Sequence, residues 1–364
     1  MESGQIKVGD YVLSVSDADS VLQDVVAMRL DDVVSRLRGP RDSSVTLGIK
    51  RVTPAGVELF NVALKRSRVS LTGQAVQFEL LAHPIERESK LAYIRVPKLY
   101  KDFSAAARGE AEYASAARDV EKALTQAKAA GAKGLVLDLR GNGGGAFDEV
   151  AAVTDLFIDV GPVVQQRNST GQISVLAAEE TGQEWSAPLV VLVDAATASG
   201  AEMIAAALQD YQRAIIVGQT TYGTGTIQMI IDLDRYKEKR GGPSYGLLKL
   251  TVHKAYRASG KSIQLDGVTP DIEFAVAPNK GTKRERDKKY PLGSESVPAM
   301  KMEPAQAPVV SLVPELIKRH AARQQRASPA VNSTVAGSPA QDATVNMALW
   351  VLSDMLSLQV PEKQ

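Results

Sequence analysis

The 364-residue chain contains no cysteine and only three histidines, and aromatic residues make up 5% of it. Without cysteine there is no disulfide, no thiolate nucleophile and no cysteine-ligated metal. The histidines, His83, His253 and His320, lie far apart in the sequence, and no His-Glu-x-x-His motif is present. The sequence therefore predicts no metal site and implies no cofactor.

An excess of charge of either sign is also lacking, as is any long hydrophobic run. The 43 basic and 42 acidic residues leave a formal net charge of +1, so we expect no nucleic-acid partner. No apolar run approaches the roughly 20 residues that cross a bilayer, and the first residues are not a signal peptide. The hydrophobic content of 44% is that of a globular chain, and the length favours two or three domains.

A strand that runs into a helix is the most informative feature of the chain. Residues 189–193 are all leucine or valine, which is typical of a strand buried on both faces, and helical composition begins at 201. Ser199 lies at the turn between them, beside amides that the first turn of a helix leaves unpaired. This stretch alone allows two interpretations: Ser199 is the N-cap of the helix, or it is a nucleophile beside an oxyanion site.

Strands and helices alternate through the middle of the chain. Predicted strands at 91–96 and 134–139 flank a helix predicted over 105–130, an order that implies a parallel pair with a right-handed crossover. The glycine-rich segment at 140–145 follows; it does not match the phosphate-binding motifs, and Asn142 within it is expected to form a turn. Further strands are predicted at 163–166, 189–193, 214–217, 227–233, 247–253 and 272–275.

The first 70 residues follow a different pattern. A Gly-Asp turn and strand at 6–15 precede a helix predicted at 29–37, and strands at 44–52 and 56–64 form a hairpin. This order resembles the second half of a PDZ domain, a module that adds a peptide C-terminus to a sheet edge. The first strand and the carboxylate loop of that family are not in the sequence. We therefore expect a partial PDZ domain with impaired peptide binding.

The composition changes again after residue 278. A basic run at 280–289 and stretches rich in Pro, Ala and Ser at 304–308 and 328–342 predict a linker. Helices are predicted at 314–325 and 344–358. The predicted organisation is a partial PDZ domain (1–70), an α/β core with a mixed or parallel sheet and flanking helices (71–278), and a linker with C-terminal helices (279–364).

Five motifs occur in the order found in one protease family. The chain resembles the C-terminal-processing, or tail-specific, serine proteases of the S41 type, most of all the long periplasmic subgroup of Gram-negative bacteria. The resemblance implies an α/β protease core and serine endopeptidase activity on exported proteins or peptides with apolar C-termini. It also implies a periplasmic location and an adaptor lipoprotein as a partner. The motifs occupy residues 134–145, 197–202, 206–210, 213–218 and 267–271.

The resemblance also implies the site residues. The nucleophile of the family falls on Ser199, and the oxyanion donors fall on the backbone N–H groups of Gly145 and Gly200. The glutamine that orients the general base falls on Gln228. The general base itself, a lysine between two glycines, falls on Thr224, where the two glycines are kept and the lysine is not.

A threonine hydroxyl does not accept a proton at neutral pH, and general-base assistance is worth about 10²- to 10⁴-fold in rate. Two hypotheses therefore stay open: a tail-specific serine endopeptidase, and a catalytically impaired pseudoprotease or fragment that retains only peptide or partner binding. His253 is the one alternative base on a strand expected near the site, although a core or surface role is commoner. Lys249, Lys254 and Lys261 are expected to be solvated.

Overall fold

The computed structural model describes residues 4–7, 9–17, 20–67, 73–179, 183–237, 242, 244–275, 283–305, 308–326 and 338–359. The chain divides into two units, Met1–Thr72 and Gly73–Gln364. The predicted domain boundaries, after residues 70 and 278, both lie outside the described residues.

The first unit is a four-stranded antiparallel sheet with one helix. Alternate residues of its longest inner strand, Val45, Leu47 and Ile49, are at most 5% exposed and form the small core. The predicted helix and hairpin are confirmed, with a two-residue turn that pairs Thr53 with Gly56. In chain order the elements are β1 (Tyr11–Asp17), β2 (Gln23–Asp24), α1 (Leu30–Leu37), β3 (Ser44–Thr53) and β4 (Gly56–Lys65), and the sheet order is β2-β1-β3-β4.

The second unit contains two sheets and six helices among the described residues. Its elements are β5 (Gln77–Ala82), β6 (Lys90–Arg95), α2 (Phe103–Ala107), α3 (Ala116–Ala129), β7 (Leu135–Asp138), α4 (Asp148–Asp155), β8 (Gly161–Asn168), β9 (Ile173–Ala178), β10 (Leu189–Val193), α5 (Gly200–Asp210), β11 (Ile215–Gly218), β12 (Thr226–Asp232), β13 (Leu247–Arg257), β14 (Ile272–Glu273), α6 (Val313–Arg326) and α7 (Ala343–Gln359). Short 3₁₀ turns lie at Leu233–Tyr236, Glu285–Asp287, Val310–Leu312 and Pro339–Gln341.

The six-stranded sheet confirms the predicted α/β core. Its order is β14-β11-β10-β7-β6-β5; β5 is antiparallel to β6 and the other neighbours are parallel. Every residue of β7, β10 and β11 is buried, as expected for strands with helices on both faces. The predicted parallel pair of strands at 91–96 and 134–139 corresponds to β6 and β7.

The single helix predicted over 105–130 is wrong. Two helices, α2 and α3, replace it, and the chain turns between them at Gly109, whose φ of +72° is left-handed. Ser115 then caps α3, its hydroxyl accepting the N–H of Arg118 at 3.3 Å. The alanine-rich composition hid this break, because alanine favours helix wherever it stands.

Three predicted strands lie outside the six-stranded sheet, the main sheet of the second unit. The strands predicted at 163–166, 227–233 and 247–253 are β8, β12 and β13, and together with β9 they form a separate antiparallel sheet of order β12-β13-β8-β9. Residue periodicity indicates that a segment is a strand. It does not indicate which strand the segment pairs with, because that strand comes from a distant part of the chain.

The C-terminal helices α6 and α7 lie against the main sheet. Leu349 and Leu352 of α7 are at most 3% exposed and share a hydrophobic cluster with Val136, Val190 and Val217 of three central strands. Helices α3, α4 and α5 contribute to the cluster formed with the opposite face. Helices α6 and α7 thus form one layer of the fold. No described helix is both long and apolar enough to cross a membrane.

We expect Leu352→Ala to lower the free energy of unfolding by about 2–5 kcal/mol, because Leu352 is fully buried and lies against Gly134 of the main sheet. Urea denaturation measures this change. Ile317→Ala on α6, where the side chain is 46% exposed, is the control and should cost about 0.5 kcal/mol or less. Equal effects of the two substitutions would contradict the packing of α7 in the core.

Candidate active site

Ser199 lies at a sharp turn between β10 and α5. Its φ of 55° and ψ of −123° differ from the extended backbone that an N-cap residue ordinarily adopts. A positive φ at a residue other than glycine is strained, and strain of this kind concentrates at functional sites. The backbone therefore distinguishes Ser199 from a simple N-cap.

The glycine-rich segment lies directly against this turn. A Cβ atom on Gly144 would lie 2.9 Å from the Ser199 Cβ and 3.0 Å from the Gly200 nitrogen, so only glycine fits. The backbone of Leu99 lies close to Gly145. A Cβ atom on Gly145 would be 1.8 Å from the Leu99 carbonyl oxygen, so only glycine fits there as well. The structure thus places Gly144 against Ser199 and Gly200, with the other predicted oxyanion residue, Gly145, next to Gly144 in the chain.

Asn142 holds the glycine segment in this shape. It is fully buried; its side-chain amide donates to the Val96 carbonyl and its Oδ1 accepts the Gly144 N–H, both at 2.8 Å. Its own carbonyl accepts the Ala198 N–H at 2.8 Å, next to the serine. These contacts fit the turn-forming role expected for Asn142.

Sequence reasoning missed Glu202, the acidic residue that joins the site together. Its side chain is fully buried and accepts four hydrogen bonds. Oε2 accepts the N–H groups of Ser199 at 2.8 Å and Thr224 at 2.9 Å; Oε1 accepts the Gly223 N–H at 2.6 Å and the Thr221 hydroxyl at 2.5 Å. The Ser-x-x-Glu spacing of a capping box was the available signal.

Glu202 fixes the backbone of Ser199 by accepting its N–H. Burial raises the pKa of Glu202 to about 7, and the four donors oppose that rise. A carboxylate offers about four acceptor positions. In the carboxylate form all four positions are occupied by these donors, and the Ser199 hydroxyl is not one of them.

Thr224, where the resemblance implies a lysine, faces a buried acid. Its hydroxyl donates to Oε2 of Glu285 at 3.3 Å, and the Lys288 ammonium binds the same oxygen at 2.6 Å. Gln264 donates to the other oxygen of Glu285 at 3.2 Å. This pairing raises the pKa of Lys288, so its amine stays protonated and does not serve as a base near neutral pH.

The structure does not bring Gln228 together with Thr224. Gln228 is exposed on β12, after a register shift between Ile227 and Gln228, and its side chain makes no hydrogen bond within the described ranges. The threonine side chain is also too short to need the orienting partner that a lysine uses.

Among the described residues, no hydrogen bond joins a histidine or a neighbouring lysine to Ser199. His253 lies within β13, opposite Ile227, with its Nδ1 buried and unpaired. His83 accepts two backbone N–H groups in a turn, and His320 stacks on Phe274 at 4.9 Å. Lys254 is not solvated as expected but pairs with Glu295, whereas Lys249 and Lys261 are exposed. In the part of the chain that the structure describes, no group of three or more acidic or histidine side chains could hold a metal ion.

The family model for peptidase family S41 matches residues 90–274. The chain belongs to this family. It is 35% identical to the tail-specific protease of Haemophilus influenzae over 75% of its own length and 36% of that relative's length. The predicted family is thereby confirmed, and the chain spans little more than a third of that S41 relative.

Solved structures of related proteins were also compared with this S41 chain. The photosystem II D1 C-terminal processing protease has a TM-score of 0.48 and 28% identity, over 76% of this chain and 66% of that one. A peptide-bound PDZ domain of the carboxy-terminal protease from Vibrio cholerae has a TM-score of 0.18 and 30% identity, over 19% of this chain and 69% of that one.

We expect Glu202→Gln to lower the free energy of unfolding by about 1–3 kcal/mol, because one acceptor oxygen becomes an NH₂ group that faces other donors. Urea denaturation at neutral pH measures the loss. The control is Glu112→Gln, a surface residue paired with Lys122 at 3.4 Å, which should change stability by less than about 1 kcal/mol. A change at Glu202 no larger than the control would mean that the carboxylate does not join the two segments.

The raised pKa of Glu202 also predicts a pH dependence. A folded-state pKa of about 7, above the ordinary 4.5, means that the folded chain binds this proton more tightly than the unfolded chain does. The free energy of unfolding should therefore fall as pH rises from about 4.5 to about 7. Glutamine does not titrate, so Glu202→Gln lacks this contribution to the pH dependence. The difference in free energy of unfolding between the original chain and Glu202→Gln should therefore shrink as pH rises over the same range. A difference independent of pH would contradict the raised pKa.

Proposed function

We propose that this chain carries the core of a serine endopeptidase of the C-terminal-processing class, with Ser199 as nucleophile. The observation that carries the proposal is the strained Ser199 turn, packed against the glycine-rich segment at the N-terminus of α5. In such a site Ser199 attacks the scissile carbonyl, and the N–H groups of Gly145 and Gly200 stabilise the oxyanion. One donor of this kind is worth about 3–4 kcal/mol in the transition state.

The substrates that we propose are exported proteins or peptides with apolar C-termini, cut in the periplasm with the help of an adaptor lipoprotein. The family supports this assignment, as does the likeness to the H. influenzae tail-specific protease. The proposed organisation is a partial PDZ domain at 1–70, the protease core at 71–278, and a linker with helices at 279–364.

A second candidate function, a pseudoprotease that binds peptides or partners without cutting them, is favoured by Thr224. Its hydroxyl is hydrogen-bonded to Glu285, and Lys288 is held as an ammonium on the same carboxylate. Within the described residues no side chain that could act as a base contacts the Ser199 hydroxyl. Both candidates share one site and differ only in whether a proton acceptor is present.

Restoring the amine separates these candidates. We expect Thr224→Lys to raise kcat/KM for an unfolded reporter with an apolar C-terminal tail by about 10²- to 10⁴-fold, because a neutral amine then accepts the Ser199 proton. Thr224→Met, with a side chain of similar length and no amine, is the matched control and should cleave no faster than the original chain.

Adding Ser199→Ala to Thr224→Lys should abolish the gain. Cleavage by the original chain that is lost on Ser199→Ala alone would show that another base serves this serine. Absence of cleavage in every variant, with binding of the reporter retained, would favour the pseudoprotease.

A further inference from the structure

Strand β12 is a free sheet edge that starts at the candidate active site. Within the described ranges β12 pairs only with β13, so its other side carries the unpaired backbone groups of an edge strand. It begins at Thr226, immediately after the turn that contains Thr224. The amide of Thr224 shares one Glu202 oxygen with the amide of Ser199. A strand added to this edge would therefore start beside the segment that Glu202 joins to the Ser199 turn.

One face of the ribbon formed by β12 and β13 is apolar. Met229 pairs with Leu250 and Ile231 pairs with Leu248; these four residues share a face because side chains alternate along a strand. Met229 is 52% exposed, and Leu250 and Leu248 are 47% and 43% exposed. Folding of the described residues thus leaves this apolar face uncovered.

The edge also lacks the features that usually block strand pairing. Natural edge strands carry charges or proline that oppose the addition of another strand. Residues 228–231 of β12 contain neither, and the first charge is Asp232 at the far end. Main-chain groups at such an edge supply affinity for an extended peptide, and the adjoining side chains supply specificity.

We propose that β12 binds the substrate polypeptide as an added strand, with alternate substrate side chains extending the apolar face of Met229 and Ile231. The inference rests on the proposed function and names its substrate class: unfolded segments with apolar residues at every second position. The substrate is the occupant that fits, because the edge begins at the candidate active site.

The test measures binding of two fluorescein-labelled peptides of about ten residues to the chain as it is, by fluorescence anisotropy. Both have the same composition and an amidated C-terminus, which removes the carboxylate that a PDZ-like module recognises. In one the apolar residues alternate with serine and threonine; in the other they are clustered. The alternating peptide should bind at least about tenfold more tightly, the equivalent of about 1.4 kcal/mol.

Backbone methylation provides a readout that a simple apolar patch would not give. N-methyl groups on every second residue of the alternating peptide block the hydrogen bonds of one of its edges. Methylation in one register should abolish binding, and methylation in the other register should leave it nearly unchanged. Equal affinity of the two methylated peptides would overturn the proposal.

Substitution on the protein locates the contact. Met229→Lys should weaken binding of the alternating peptide about tenfold, by placing a charge on the apolar face. The matched control is Val175→Lys on β9, the opposite edge of the same sheet, where the side chain is 41% exposed and no effect is expected. Equal weakening by the two substitutions would overturn the proposal. So would a dimer, seen by light scattering, that Met229→Lys dissociates without changing peptide binding.

Failure of this inference and failure of the proposed function give different results. If Thr224→Lys cleaves the reporter and adding Met229→Lys leaves its KM unchanged, the protease function is supported and the β12 site is refuted. If no variant cleaves but the methylated peptides bind in one register only, the β12 site is supported and the protease function is refuted.

Discussion

The candidate active site depends on the Glu202 carboxylate, which holds two distant segments together in the protein interior. It fixes the strained turn of Ser199 on one side and the segment with Thr221, Gly223 and Thr224 on the other. A buried carboxylate is costly unless its acceptor positions are filled, so the fold has to keep both segments in place around it. Glu202 shares this task with one backbone hydrogen bond, from the Tyr222 N–H to the Thr197 carbonyl at 2.9 Å, and together they fix the relative position of residues 199 and 224.

Thr224 is itself part of that framework. The backbone of Thr224 donates to Glu202, and its hydroxyl donates to Glu285. Lys288, three residues after Glu285, balances the charge of that carboxylate. The hydrogen bonds around Thr224 are therefore satisfied without a basic side chain at this position.

Much of this arrangement could be predicted from the sequence because the determining signals are local. The leucine and valine run of β10, the serine turn and the glycine-rich segment lie within short stretches, and the structure places them at one site. Glu202 was missed as the group that joins two segments, since its partners come from a loop distant in sequence. The separate antiparallel sheet was missed for the same reason, because its strand pairs depend on long-range contacts.

The most direct test of the central claim is covalent capture of the serine. A peptide boronate forms a tetrahedral adduct with a nucleophilic serine whose oxyanion is stabilised by backbone donors. Boron NMR of the Thr224→Lys protein should show a tetrahedral signal that disappears when Ser199→Ala is added. A trigonal signal only, or a tetrahedral signal that survives Ser199→Ala, would contradict the assignment of Ser199, Gly145 and Gly200 as an active site.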